Sequence, residues 1–254
     1  MSIRSTGKRL SIAAGLYRPA RWLARRLLPS PPPAYFGDID FYRSLLPPSA
    51  LCFDVGANIG HKSEVLLIAG AHVVAFEPNP LVLPELRARC GHHKSWGCVA
   101  AALGASAAIA TLYARKSSGQ SSLDPHWAGE PLGTYYVPVV TLDSAIHTFG
   151  RPVYCKIDVE GWEFEVLRGL TQGLPLISFE FHLNDADARK TRACLERLLE
   201  LGATHANLTP AERSTFHFQD WVPVTELLDW FPGDLRSSLP GLPYGDIYVR
   251  TDAA

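Results

Sequence analysis

The 254-residue chain has no CxxC pair and no Cys/His cluster with the spacing of a zinc site. Its five cysteines, Cys52, Cys90, Cys98, Cys155 and Cys194, are odd in number and widely scattered. Cys52 and Cys155 fall inside apolar runs, where a free thiol packs as a small hydrophobe. A reducing cytoplasm is therefore the simplest compartment. Neither charge sign dominates: 24 basic and 25 acidic side chains leave a net charge of −1, which offers no general case for nucleic-acid binding. There is no internal repeat and no low-complexity tract beyond a cluster of prolines.

The near-neutrality hides an asymmetry. Residues 1–33 hold seven basic side chains and no acidic one, so the remainder of the chain carries eight more acids than bases. The longest uncharged stretch of this basic segment, residues 10–17, is too short to span a bilayer and lacks a convincing cleavage site. Beyond Pro19, Ala20, Leu23 and Leu27 recur at helical spacing while Arg18, Arg21 and Arg25 line another side. The segment reads as a loosely docked extension ended by Pro29, Pro31, Pro32 and Pro33. Contact with an anionic inner-membrane surface is the alternative.

What the chain does have is an alternation of strand and helix signals. Strands are expected at 51–55, 72–76, 95–99, 137–142, 153–158 and 176–181, with a later pair at 205–208 and 246–250 and an extra short strand at 109–113. Helices are expected at 38–46, 61–69, 80–90, 142–149, 162–169 and 187–201. The pattern predicts one α/β domain over residues 34–254, a doubly wound, mostly parallel, seven-stranded sheet with helices on both faces. Its cofactor-binding core covers about residues 50–182. Ligands of such sheets sit at the carboxyl ends of strands near the topological switch.

The residues closing the strands are the informative ones. The loop Asp54-Val55-Gly56-Ala57-Asn58-Ile59-Gly60 follows an apolar run and opens a helix, and Glu77 closes the next strand 21 positions after Gly56. Gly56 and Gly60 permit a tight turn and close backbone approach to a ligand. Glu77 stands where a carboxylate accepts hydrogen bonds from both hydroxyls of a ribose. A dinucleotide loop requires Gly-x-Gly-x-x-Gly so that amides meet a pyrophosphate. Here the third glycine is missing, and Asp54 would repel phosphate while suiting an ammonium group. S-adenosylmethionine carries an ammonium and a ribose but no phosphate, and is the expected cofactor.

A second acidic run, Lys156-Ile157-Asp158-Val159-Glu160-Gly161-Trp162-Glu163, closes the strand beside that loop. Asp158 and Glu160 are candidates for chemistry at the cleft, whereas Glu163 reads as an acidic helix start. Farther on, alternation puts Glu180 and His182 on one side of a strand. An imidazole beside a carboxylate can take a proton from a hydroxyl at neutral pH, so His182 and Asp158 lead the catalytic candidates. Asp158, Glu160 and His182 also suggest a divalent-metal site, but no spacing enforces one and none is expected. The polar stretch 115–123 reads as a loop or a lid over the cleft.

These residues resemble the FkbM-type methyltransferases. The likeness rests on the segments 53–60, Phe76-Glu77-Pro78, Thr141-Leu142-Asp143, 156–161 and Glu165-Val166-Leu167-Arg168-Gly169, and weakens through 245–249. It implies a Rossmann-like fold and O-methylation of a hydroxyl on a sugar, glycan or polyketide-like metabolite. By the same likeness Asp54, Gly56, Asn58, Gly60 and Glu77 bind cofactor, and Ser121 and Ser122 fit a recurrent Ser-Ser-Leu element. A nucleotide-dependent oxidoreductase and a non-catalytic, membrane-associated cofactor-binding protein are the alternatives.

Overall fold

The computed structural model describes residues 36–211, 213–231 and 244–251. The basic segment 1–33 and the helical spacing after Pro19 lie outside the described residues. The chain divides into two units, residues 1–37 and 38–254, and both sheets lie in the second. Among the described residues no helix is long and apolar enough to cross a membrane.

The elements run α1 (Phe36–Leu45), β1 (Leu51–Val55), α2 (His61–Ala69), β2 (His72–Phe76), α3 (Leu83–Cys90), β3 (Trp96–Val99), β4 (Ala102–Leu103), β5 (Ala108–Ala114), β6 (Gly133–Val140), α4 (Leu142–Phe149), β7 (Tyr154–Ile157), α5 (Glu163–Arg168), β8 (Leu176–His182), α6 (Asp185–Glu200), β9 (His205–Pro210), β10 (Val222–Pro223), α7 (Val224–Trp230) and β11 (Tyr244–Arg250). The main sheet has the order β10-β9-β11-β8-β7-β1-β2-β3. Strands β8, β7, β1, β2 and β3 pair in parallel, while β11 and β10 run antiparallel to their neighbours. The expected seven strands become eight through the two-residue β10, and the sheet is mixed beyond β8.

The strand expected at 137–142 is placed differently. It is β6, and it leaves the main sheet for a separate three-stranded one of order β4-β6-β5. The reason is in its burial: Thr134, Tyr136 and Pro138 are exposed and Val137 and Val139 buried, the alternation of a sheet covered on one face only. The central strands are buried on both faces and need near-continuous apolar sequence, which β6 lacks.

The chain runs outward from β1 to β3 and returns to β7 on the other side of β1, so the switch point lies between β1 and β7. Helix signals are local and strong. Thr141 and Ser144 form a reciprocal capping box at the start of α4. Asn184 caps α6 by accepting from the Asp187 N–H. Gly70, at φ 106°, ends α2 with its N–H turned back to the Leu66 and Leu67 carbonyls. One core cluster unites Phe53, Phe76, Phe179, Leu195 and Ile247 across the sheet and its covering helices.

One face of the sheet is polar near its carboxyl edge. Strand register places Asp54, Lys156, Ser178, Tyr248 and Asn207 in a single row, and Glu180, Asp246 and Thr209 in the next row outward. Ser178 and Tyr248 of this row join Tyr42 and Tyr154 in a buried network of hydroxyls. Tyr42 reaches Tyr248 at 3.0 Å, and Tyr154 reaches Ser178 at 2.7 Å. This network ties α1 to the sheet. Tyr42→Phe should therefore lower unfolding stability by about 1 kcal/mol, the net worth of one hydrogen bond. Urea titration checks it: the midpoint should fall with the slope unchanged, and an unmoved midpoint would mean the hydroxyl network holds nothing.

Candidate functional site

The cleft is built where β1 and β7 diverge. Gly56 adopts φ +81°, and a Cβ placed on it would lie 1.8 Å from the Asp158 carbonyl oxygen. Only glycine lets the loop after β1 touch the loop after β7 this closely. Asn58 also takes a positive φ, of 48°, and its N–H donates to Glu77 Oε2 at 2.6 Å. The Asn79 N–H donates to the other Glu77 oxygen at 2.7 Å. Glu77 is thus clamped between two loops with 6% of its surface exposed. Burial pushes its carboxyl up to about 7, against the two amide donors that favour the anion.

The loop is braced from behind. Arg89, buried in α3, donates to the Ile59 carbonyl at 2.6 Å and to Glu64 Oε2 at 2.7 Å. Gly60, at φ +82°, packs against Leu86 and Cys90 of the same helix. Gly60 therefore shapes the loop but does not line the cavity.

In front of the loop lies an open cavity of about 90 Å³. Of the residues expected at the site, Gly56, Asn58, Glu77, Ser121, Ser122, Asp158 and Glu160 line it. Apolar surface from Phe76, Leu103, Leu112, Leu123 and Trp162 completes the wall, a setting for a flat ring beside a polar sugar. On that wall the Asn58 Oδ1 is buried without a protein partner, an acceptor left for a ligand. A ribose-bearing methyl donor fits this donor set. The clamped Glu77 would hold its hydroxyls, the Gly56–Asn58 turn its amino-acid end, and the apolar wall its base.

Asp54 is placed differently from the expectation that it faces the ligand's ammonium group. It is fully buried and absent from the cavity wall, accepts from Ser63 Oγ at 2.5 Å, and lies in register with Lys156. Burial raises its carboxyl above the usual range, opposed by the Lys156 ammonium. Lys156 reaches Asp158 Oδ2 at 2.5 Å. Period-2 alternation already puts Lys156 and Asp158 on one face, so this pair is readable from spacing alone.

The acids converge at the outer end of the cavity. Carboxylate oxygens of Asp158, Glu160 and Glu180 lie within 4.8 Å of one another, a spacing a divalent cation can bridge. The third member of this cluster is Glu180, where the divalent-metal alternative weighed from the sequence had His182. The crowding is electrostatically costly. Burial and the neighbouring Asp158 and Glu180 push Glu160 up to about 8, and burial and Asp158 raise Glu180 as well. His182 sits one step farther out, with Nε2 3.3 Å from Glu180 Oε2, and that bond raises the imidazole above its ordinary value. His182 does not line the main cavity. It borders a smaller one of about 10 Å³ with Trp127, Gly161 and Glu180.

The 115–132 segment ties the expected Ser121 and Ser122 to the site and supplies one residue that the sequence did not signal, Trp127. Ser121 Oγ accepts from Asn79 Nδ2 at 3.3 Å, and Ser122 Oγ donates to the Glu160 carbonyl at 2.7 Å. Trp127 Nε1 donates to Glu160 Oε2 at 2.7 Å. Nothing in the spacing of Trp127, 33 positions ahead of Glu160, signals that contact.

Comparison with known proteins gives the class. The family model described as the methyltransferase FkbM domain matches residues 54–221. The hexuronic acid methyltransferase AglP of Haloferax volcanii is 28% identical over 188 residues, covering 67% of this chain and 73% of that one. Among solved structures, a TehB-like SAM-dependent methyltransferase from Corynebacterium glutamicum aligns with a TM-score of 0.45 at 11% identity, covering 95% of this chain and 99% of that one. Fibrillarin from Aeropyrum pernix, crystallised with natively bound S-adenosyl-L-methionine, aligns at 0.43 and 9% identity over 80% and 66% of the two chains. Those superpositions are loose, and the assignment rests on the sequence match. With about two thirds of its length inside the family model, the chain belongs to the FkbM family of S-adenosylmethionine-dependent methyltransferases.

Proposed function

We propose that the protein O-methylates a hydroxyl of a sugar, glycan or polyketide-like small molecule. The observation carrying this reading is that one continuous cavity runs from Glu77 at the ribose end to Asp158 at the acidic end. The similarity to a hexuronic acid methyltransferase supports a sugar hydroxyl as acceptor. Nucleic acid is not a partner in this reading.

The bound cofactor supplies an electrophilic methyl group; the protein must supply position and a place for the hydroxyl proton. Asp158 is fixed by Lys156 on one oxygen and borders the cavity, so its other oxygen accepts a hydrogen bond from the acceptor hydroxyl. Glu180 lies within reach of Asp158 on one side and of His182 on the other. The Glu180–His182 pair therefore receives the proton and passes it toward solvent. Glu160 has its carboxyl engaged by Trp127, which leaves it a structural task at the cleft mouth.

Calorimetric titration should detect binding of S-adenosylhomocysteine and none of NAD, and the reverse would sink the reading. Glu77→Ala should weaken that binding roughly 10- to 100-fold through loss of charge-assisted hydrogen bonds. Glu77 also sets a pH dependence. Its carboxyl, near 7 in the free protein, is largely protonated below that pH, and ribose hydroxyl donors favour the anion. Affinity should thus rise with pH up to about 7 and level off above it. Titrations at a pH of about 6.5, just below that value, in buffers of differing ionisation enthalpy should show proton release that Glu77→Gln abolishes. Equal release in that variant would move the titration to another group. Finally, a mass screen for products heavier by one methylene identifies an acceptor, and with it Asp158→Asn should lose roughly 10²- to 10⁴-fold in kcat. Affinity for S-adenosylhomocysteine should change little; an unaltered kcat would remove Asp158 from the chemistry.

A further inference from the structure

The segment joining β5 to β6 crosses both cavities. Its first half, with Ser118, Gly119 and Ser121 to Leu123, forms part of the cofactor cavity wall. Its second half brings Trp127 to the smaller cavity beside Glu180 and His182. Between the two halves stands Glu160, and the strap is fastened to it twice. Glu160 holds φ at +59°, a conformation sparsely populated for a residue with a side chain. That turn aims its carbonyl at Ser122 Oγ, 2.7 Å away, while its carboxyl accepts from the Trp127 indole N–H at 2.7 Å.

Three further neighbours hold the Trp127 ring. A Cβ on Gly161 would lie 2.4 Å from its Cε3, so the ring packs directly on the glycine backbone. His182 meets it edge-on at 5.4 Å between centroids, and the Lys190 ammonium lies 5.2 Å from the ring centre. Lys190 also bonds Asp124 of the strap at 3.0 Å. Buried Arg115 braces the strap internally by donating to the Trp127 carbonyl at 2.6 Å. A backbone held in a rare conformation at an active edge persists only where its surroundings impose it, and here both of its polar groups serve the strap.

We infer that Glu160 and Trp127 are positioning residues that latch the strap shut, so that one loop closes over the cofactor and sets the acceptor-side wall against His182. The inference rests on the proposed methyltransferase function. It assigns Glu160 a mechanical role in place of proton transfer. Closure over the cofactor then depends on a residue, Trp127, that stands outside the cofactor cavity.

The test uses the full chain with S-adenosylhomocysteine as probe. Trp127→Phe keeps the ring and removes only the N–H, and it should weaken binding roughly tenfold, the scale of one hydrogen bond. Glu160→Ala should match it. Glu160→Gln, which keeps an oxygen acceptor, should recover most of the affinity that Glu160→Ala loses. The double variant Trp127→Phe/Glu160→Ala should be no weaker than either single one. Hydrogen exchange on the unaltered protein supplies a readout independent of any variant's folding: ligand should slow amide exchange across residues 117–127. Additive losses, Glu160→Gln as damaging as Glu160→Ala, or exchange unchanged across the strap would each overturn the latch. Absence of ligand binding by the unaltered protein would instead bring down the methyltransferase reading itself.

Discussion

The active edge depends on one buried cation. Lys156 has a side chain only 6% exposed, yet it is charged because Asp158 and Asp54 flank it. Each of these acids would be expensive alone in the sheet, and removing one partner of a buried ion pair costs about 3–5 kcal/mol in general. Lys156 therefore does more than satisfy Asp158. It permits Asp54 to lie fully buried behind the glycine loop, where it holds Ser63 at the start of α2. The loop, the helix start and the Asp158 carboxylate are arranged around that ammonium.

Even so, acid outweighs base in the cleft. Burial lifts Glu77 and Glu163 to about 7, and burial with the neighbouring Asp158 and Glu180 lifts Glu160 to about 8. Groups displaced in this way are complementary to a ligand that brings positive charge or hydroxyl donors, since either restores the anion. A methyl donor with a sulfonium centre and a ribose brings both. A pyrophosphate brings the opposite charge to the same crowded edge. The preference that the sequence suggests through Asp54 thus survives with its cause relocated to Glu77, Asp158 and Glu160, which do line the cavity.

The parts of this arrangement legible in the sequence are those governed by short-range rules. Strands β1 and β2 have the bounds their apolar runs indicate, because Gly56 ends one and Gly70 precedes the other. The acid-rich closure of β7 is equally plain. The second sheet is not, since β6 finds β5 through a hairpin whose connecting loop also serves as the strap. Its alternating burial is a usable hint that it cannot be a central parallel strand. The approach of Glu180 to Asp158 and of Trp127 to Glu160 depends on pairing and packing between distant segments. No periodicity within one segment encodes those contacts.

The two motifs that stand out in the sequence are in fact one structural unit. Gly56 leaves no room for a side chain because the Asp158 carbonyl occupies that space, so the glycine serves contact between loops as much as approach by a ligand. On the far side, Glu163 accepts from the Val159 and Gly161 N–H groups at 3.2 and 3.1 Å and fixes the turn between them. That turn is what sets Glu160 in its left-handed conformation and directs Asp158 into the cavity. A cofactor loop and an acidic loop that must touch cannot vary independently. Substitution at Gly56 would displace Asp158, and loosening the turn at Glu163 would disturb the surface on which Gly56 rests. In the proposed function, the spacing between cofactor and acceptor is thereby set by backbone packing, with the side chains proposed for the chemistry carried on it.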